Sequence, residues 1–285
     1  MTRPIQENCN GVSYLARPGT GPTVAFLHGI GSNATSFTHL FDILPSHWNL
    51  LAWNAPGYLA SDPLDDMWPS PADCAHRLAR FLDDLGVKEL HLVGHSLGAL
   101  IAAAFGRHYP KRLSSLVLAS LASGYCVPRG GEMPAKVGAR IEELNRLGPA
   151  AFAKARAANL VYDPDRFEDV VARVEAVMAD VNPHGYAQAV HLLATGDLLA
   201  DLAQVPIRPG FIIGVQDRVT PIAQTNAAAE AWQAAHGSRP SVFEIQDAGH
   251  AVYLQKPKEF CAAVIELMAP EHAGELHTAD KNERV

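Results

Sequence analysis

Short apolar runs recur along the chain with longer helix-patterned segments between them: TVAFLHG, NLLAWN, ELHLVG, LSSLVLAS, GFIIGVQD and SVFEIQD. Runs of this length and composition, apolar at consecutive positions, mark strands buried on both faces. With helices between them they predict an α/β architecture, a mostly parallel twisted sheet covered by helices on both faces. GVSYLARPG, ahead of the first run, alternates instead and predicts an antiparallel strand at the sheet edge. Periodicity and Pro or Gly punctuation predict helices over Pro71–Leu85, Leu97–Tyr109, Pro221–Ala235 and Pro257–Met268.

Between Gly124 and Val205 the rhythm breaks. EMPAKVGARIEELNRLG, PAAFAKARAANLV, PDRFEDVVARVEAVMADV and PHGYAQAVHLLAT are helical patterns, and no strand pattern lies among them. The expected organisation is a core made of residues 1–123 and 206–270, with a helical cap, residues 124–205, inserted between two of its strands. The end, EHAGELHTADKNERV, is polar and without period, so residues 271–285 are expected to be a flexible tail.

Composition narrows the partners. The 285 residues, 48% hydrophobic and 19% charged, suffice for one large domain with an insertion. A net charge of −7 argues against a nucleic-acid or anionic-membrane surface and points to small molecules. MTRPIQENCN lacks the apolar core of a signal peptide, and no run is long enough to cross a bilayer, so the expected location is cytoplasmic. Cys9, Cys74, Cys126 and Cys261 are scattered without a C-x-x-C pair; they read as reduced structural thiols, with no metal site and no cofactor. Oligomeric state is not legible.

The candidate chemistry starts at LVGHSLGALIAAAF, where Gly94-His95-Ser96-Leu97-Gly98 falls at a strand-to-helix junction. Glycines on either side permit a tight turn that lifts the Ser96 hydroxyl above the sheet edge. A serine needs a base to take its proton and usually a carboxylate to orient that base. Among 13 histidines, His250 stands in a short Gly-containing loop after the last strand pattern, on the edge where open α/β sheets bind ligands. Asp217 ends GFIIGVQD, whereas the other usual strand end offers only Ser120, Leu121, Ala122 and Ser123. Asp217 could also serve only a structural role, such as capping the helix that follows. The transition-state oxyanion needs two backbone N–H donors. Leu97, at the helix start, supplies one candidate and Ile30, in the small-residue turn His28-Gly29-Ile30-Gly31-Ser32, the other. His28 is expected to support that turn with Gly29, not to act as a base; Gly94 and Gly98 are the supporting residues of the serine turn.

With these residues in place the chain resembles the α/β-hydrolase superfamily, over roughly Val12 to Ala269. The nucleophile elbow, the HGIGS oxyanion loop and the chain order Ser96, Asp217, His250 carry the resemblance. It implies an α/β-hydrolase fold, a lid formed by the inserted helices, and catalysis without cofactor. The chain is most similar to small capped enzymes: enol-lactonases, carboxylesterases and hydrolases of aromatic ring-cleavage products. It departs from the family's Asp-x-Pro-Gly-aromatic-Gly-x-Ser run in NAPGYLAS, with Asn54 and Leu59 at the Asp and second Gly positions. A serine nucleophile argues against the haloalkane dehalogenase and epoxide hydrolase branches, which use aspartate. Ala251 replaces the tryptophan frequent in ring-cleavage-product hydrolases, which lowers that branch.

The resulting expectation is a serine hydrolase of a small carboxylic ester or lactone. The alternatives are a C–C bond hydrolase of a vinylogous diketone, a cofactor-free oxygenase, or a small-ligand receptor. Arg129, Lys136, Arg140, Arg146, Lys154, Arg156, Arg166 and Arg173 of the insertion are expected to be solvated helix charges, any of which could instead hold a substrate carboxylate. Phe152, Tyr162, Phe167 and Tyr186 are expected in the insertion's own core, a few of them lining the pocket.

Overall fold

In the computed structural model, which describes residues 4–269, the apolar runs form one eight-stranded sheet. The elements follow in chain order as β1 (Ile5–Cys9), β2 (Val12–Arg17), β3 (Thr23–Leu27), α1 (Thr38–Ile43), β4 (Asn49–Trp53), α2 (Pro71–Asp84), β5 (Leu90–His95), α3 (Leu97–His108) and β6 (Leu113–Ala119). Then come α4 (Ala135–Leu147), α5 (Pro149–Arg156), α6 (Glu168–Met178), α7 (Pro183–Thr195), α8 (Leu198–Leu202), β7 (Pro209–Gly214), α9 (Ile222–His236), β8 (Val242–Ile245), α10 (Val252–Gln255) and α11 (Pro257–Leu267). The four helices expected from periodicity each end within one residue of the observed bounds. The tail expected over 271–285 lies outside the described residues.

The strand order is β1-β2-β4-β3-β5-β6-β7-β8, antiparallel at β1–β2 and β2–β4 and parallel elsewhere. This is the α/β-hydrolase fold that the sequence predicts. The edge needs one correction: Val12–Arg17 is not the outermost strand, because β1 pairs outside it from Ile5↔Ala16 to Cys9↔Val12. IQENC is polar and mostly exposed, so it has no apolar signal. The turn carried the information, since Asn10 and Gly11 both have positive φ (47° and 77°), the geometry for which Asn-Gly hairpins are selected.

The helices pack in two groups, α2, α3, α8 and α9 in one and α1 and α11 in the other, and both groups reach β6. That double coverage is why Leu116, Val117, Leu118 and Ala119 at successive positions are all buried, and why the strand reads as a continuous apolar run. Each fully buried Leu, Val or Phe contributes about 1.5–3 kcal/mol of transfer free energy.

The five helices α4–α8 lie between β6 and β7. At the neck of this insertion, Leu198 N–H donates to Ser123 O at 3.0 Å and Cys126 N–H to Gly196 O at 3.0 Å. Gly124 is required there: it has φ 82°, and a Cβ would stand 2.0 Å from Gly196 O. The far side of the insertion is seated on the core through α7. Gln188, buried, donates to Leu64 O and Asp66 O at 2.6 and 2.9 Å. Beside it the backbones of Gly185 and Gly57 touch, so that a Cβ on Gly185 would stand 2.0 Å from Gly57 O. Gly185→Ala must therefore push α7 off the Asn54–Leu59 loop, with an expected loss of about 1–3 kcal/mol in urea unfolding, the usual penalty of overpacking.

Candidate active site

The C-terminal ends of β3, β5, β7 and β8 deliver the singled-out residues to one edge of the sheet. Ser96 follows β5 directly, with φ 54° and ψ −114°, outside the ordinary regions for a residue with a Cβ. Such a conformation costs about 1–3 kcal/mol and persists only if its surroundings impose it. They do: Ser96 N–H donates to Ala119 O at 2.9 Å, and Ala122 N–H donates to Ser96 O at 3.3 Å. The flanking glycines make the turn physically possible. A Cβ on Gly94 would lie 2.4 Å from Gly98 O, and one on Gly98 would lie 2.2 Å from Leu27 O.

Asp217 and His250 meet across the edge. His250 Nδ1 lies 2.9 Å from Asp217 Oδ2, both side chains buried. A carboxylate only accepts, so Nδ1 carries the hydrogen and Nε2 is left as the acceptor. Asp217 Oδ1 accepts from Val219 N–H at 2.8 Å and Thr220 N–H at 2.9 Å, and Oδ2 from the Thr220 hydroxyl at 2.8 Å. Asp217 therefore does not cap the helix that follows, which starts at Ile222 after Pro221; its Oδ1 closes the turn ahead of that helix, while Oδ2 faces His250. Burial works against the charge of Asp217, but His250 and the Thr220 donors outweigh it and hold its pKa down to about 2.

Ser96 and His250 line the same cavity, of about 320 Å³, together with Ile30 and Leu97. Leu97 is the first residue of α3, so its N–H has no acceptor within the helix. The loop holding Ile30 runs tightly past the serine: a Cβ on Gly29 would lie 2.9 Å from Ser96 Cβ. His28 sits beneath this loop, fully buried. Its Nδ1 donates to Gly29 O at 2.9 Å, and its Nε2 accepts from Ala55 N–H at 3.0 Å. Both ring nitrogens are committed to backbone, which leaves His28 as a strut between two loops. NAPGYLAS keeps its place despite its departures, since Asn54 Oδ1 accepts from Ala34 N–H at 2.8 Å and Nδ2 donates to Ser13 Oγ at 2.9 Å.

The description "Alpha/beta hydrolase family" fits a model that matches residues 24–264. The chain belongs to the alpha/beta hydrolase family. Among curated relatives, it is 28% identical over 254 residues to the dihydrolipoyllysine-residue acetyltransferase component of the acetoin cleaving system of Cupriavidus necator. That match spans 88% of this chain and 64% of the relative's length. It is 23% identical to 3-oxoadipate enol-lactonase 1 of Acinetobacter baylyi, over 85% of this chain and 87% of the relative. Among solved structures, the enol-lactonase from Burkholderia xenovorans LB400 superposes with a TM-score of 0.80 at 18% identity, covering 93% of this chain and 99% of that one.

Four residues of this alpha/beta hydrolase's site were not singled out from sequence. Thr220 places its hydroxyl 2.8 Å from Asp217 Oδ2, 2.9 Å from Ser120 O and 3.1 Å from His250 Nδ1. Gln216 Oε1 accepts from Ala248 N–H at 3.1 Å. Gln255, buried, accepts from Gly249 N–H and Tyr162 N–H and donates to Tyr162 O, joining the His250 loop to the inserted segment. His95 Nε2 donates to His250 O at 2.9 Å. His95 lies in the Ser96 motif only at its variable position, and the other three belong to no motif; Gln255 left a trace as the amide that ends the otherwise apolar VYLQ.

Burial, only partly offset by the Gly29 hydrogen bond, lowers the pKa of His28 to about 4. Burial, reinforced by the neighbouring His250, lowers that of His95 to about 3. The unfolded chain binds protons at both positions near pH 6.5, while the folded chain refuses them until pH 4 and 3. Their neutral state therefore favours folding fully above pH 6.5, and stability is lost as the pH falls through that window. Urea unfolding free energy should drop by about 1.4 kcal/mol per pH unit for each histidine between pH 6 and 4; a flat profile would contradict the burial of the two rings.

Proposed function

We propose that this alpha/beta hydrolase cleaves a small carboxylic ester or lactone through an acyl-enzyme intermediate on Ser96. The observation that carries the reading is the convergence of Ser96 and His250 on one cavity, with His250 oriented from behind by the buried carboxylate of Asp217. The enol-lactonase among the relatives supports it at the level of substrate class. A cavity of about 320 Å³ suits a small-molecule substrate.

In the proposed mechanism Asp217 keeps the proton of neutral His250 on Nδ1, so that Nε2 accepts the proton of Ser96 Oγ. Oγ attacks the carbonyl carbon, and the amides of Ile30 and Leu97 receive the oxygen that becomes negative. The imidazolium then returns its proton to the departing alcohol oxygen. Water, deprotonated by the same Nε2, attacks the acyl group and releases the acid and free Ser96. Residues 124–205 act as a cap: they close the cavity over the serine and bring Tyr186 and Met178 to its wall.

Ser96→Ala should reduce turnover of p-nitrophenyl esters and simple lactones by more than about 1,000-fold, with the melting temperature of wild type. Activity within tenfold of wild type in a folded variant would remove Ser96 from the mechanism.

A further inference from the structure

The cavity over Ser96 draws its reactive groups from the core and its charge from the insertion. Lys136 and Arg140 of α4 and Arg156 at the end of α5 line it, and no aspartate or glutamate does. Arg129 departs from the expectation of a solvated helix charge, since it stands in a turn and pairs with Asp66 and Asp73. Lys136 keeps to it as an exposed helix residue that also borders the cavity, while Arg140 and Arg156 are half-buried against the cavity. Spacing of four residues puts Lys136 and Arg140 on one face of α4, and that face meets the cavity.

The three cations are not equally satisfied. Arg156 is paired with Glu143 at 2.8 Å. Lys136 and Arg140 have no ion-pair partner among the described residues. Lys136 stands 5.4 Å from the centre of the Tyr125 ring, which also lines the cavity. Arg140 reaches the hydroxyl of Tyr186, a buried residue of the cavity wall. Ring and phenol orient the two cations without neutralising them. A half-buried guanidinium and an exposed ammonium on a cavity wall that carries no carboxylate, with the nearby Glu143 engaged by Arg156, make a receptor for an anionic oxygen group.

We propose that the substrate carries, besides the bond that is cleaved, a second anionic oxygen group, carboxylate or phosphate, bound by Arg140 and Lys136. This deepens the ester or lactone reading and rests on it for the cleaved bond. Arg140 presents two parallel N–H donors, and Lys136 adds a point charge. The charge fixes which end of the molecule lies under α4 and which end reaches Ser96.

Binding to Ser96→Ala, which retains substrate, separates the two readings. Calorimetric titration would compare monomethyl glutarate, dimethyl glutarate and inorganic phosphate, and wild type would be assayed for hydrolysis of both esters. The expected result is at least tenfold tighter binding of monomethyl than dimethyl glutarate. In the Ser96→Ala background, Arg140→Ala and Lys136→Ala should each cut that preference about tenfold, with Arg140→Lys recovering part of it in a chain of unchanged melting temperature. Selective binding of phosphate, abolished by Arg140→Ala, supports the same anion site and assigns its ligand as a phosphate. Equal binding of both esters, no binding of any probe, or a preference untouched by Arg140→Ala overturns the proposal. Selective binding of monomethyl glutarate with no hydrolysis of either ester by wild type would sink the hydrolase reading while leaving the anion site standing. Hydrolysis of both esters without preference would do the reverse.

Discussion

The close approach of three backbones around Ser96 is the constraint on which the rest of the site depends. The turn after β5 brings Gly98 against the carbonyl of Leu27 and Gly94 against the carbonyl of Gly98, at distances that leave no room for a Cβ. That contact forces Ser96 to φ 54° and holds its hydroxyl on the cavity side. It also sets the height of the loop after β3, since Gly29 rests on Ser96 itself. The parallel register Leu27↔Gly94 and His95↔Ala119 supplies the rigidity. A strained residue costing about 1–3 kcal/mol is tolerable when the central, doubly covered strands of the sheet are what impose the strain.

Around this fixed point the mobile chemistry is held by hydrogen bonds between neutral or oppositely charged groups. His250 is gripped at its side chain by Asp217 and at its carbonyl by His95. His95 donates its Nε2–H to that carbonyl, and burial keeps the ring neutral. Gln255 then ties Gly249 to Tyr162, so the loop with the histidine is bonded to the inserted segment. Gly214 completes the arrangement, because its missing Cβ would stand 2.4 Å from Gly249 O. The position of the imidazole is therefore determined by residues from β5, β7, α10 and the insertion together.

How much of this was legible in the sequence follows from what kind of signal each part leaves. Buried parallel strands leave continuous apolar runs, as β3 to β7 do; β8, at the sheet edge, has Ile245 alone buried and its run is interrupted by Glu244, so the expectation of burial on both faces does not extend to it. Ser96 left a motif at a strand-to-helix junction, and Asp217 and His250 stood at strand ends, where chain order and topology point. β1 left almost nothing, since an exposed polar strand has no apolar period and only its Asn-Gly turn marked it. Thr220, Gln255 and His95 each join segments far apart in sequence, to Ser120, Tyr162 and His250 respectively, and no local pattern encodes such a bond. The cations of α4 were visible as residues, but which face of that helix meets the cavity is decided by tertiary packing.

That division has a physical logic. The core edge is built from close contacts that tolerate no added atom, and its residue types are correspondingly constrained: glycine at positions 94 and 98, a small turn at 28–32, and buried polar groups such as His28, Asp217 and Gln255 tied to backbone. The inserted helices meet the cavity with long side chains such as Lys136, Arg140 and Met178, which sample many rotamers and adapt to their occupant. Changes in the first set shift backbone and remove the geometry on which any reaction would depend. Changes in the second alter charge and shape while the sheet edge stays in place. In the proposed reading, bond cleavage belongs to the core and choice of molecule to the insertion. The neck at Gly124 and Gly196 and the seat at Gly57 and Gly185, where the backbones themselves make the contact, and the side-chain bridge of Gln255 then hold the two in register.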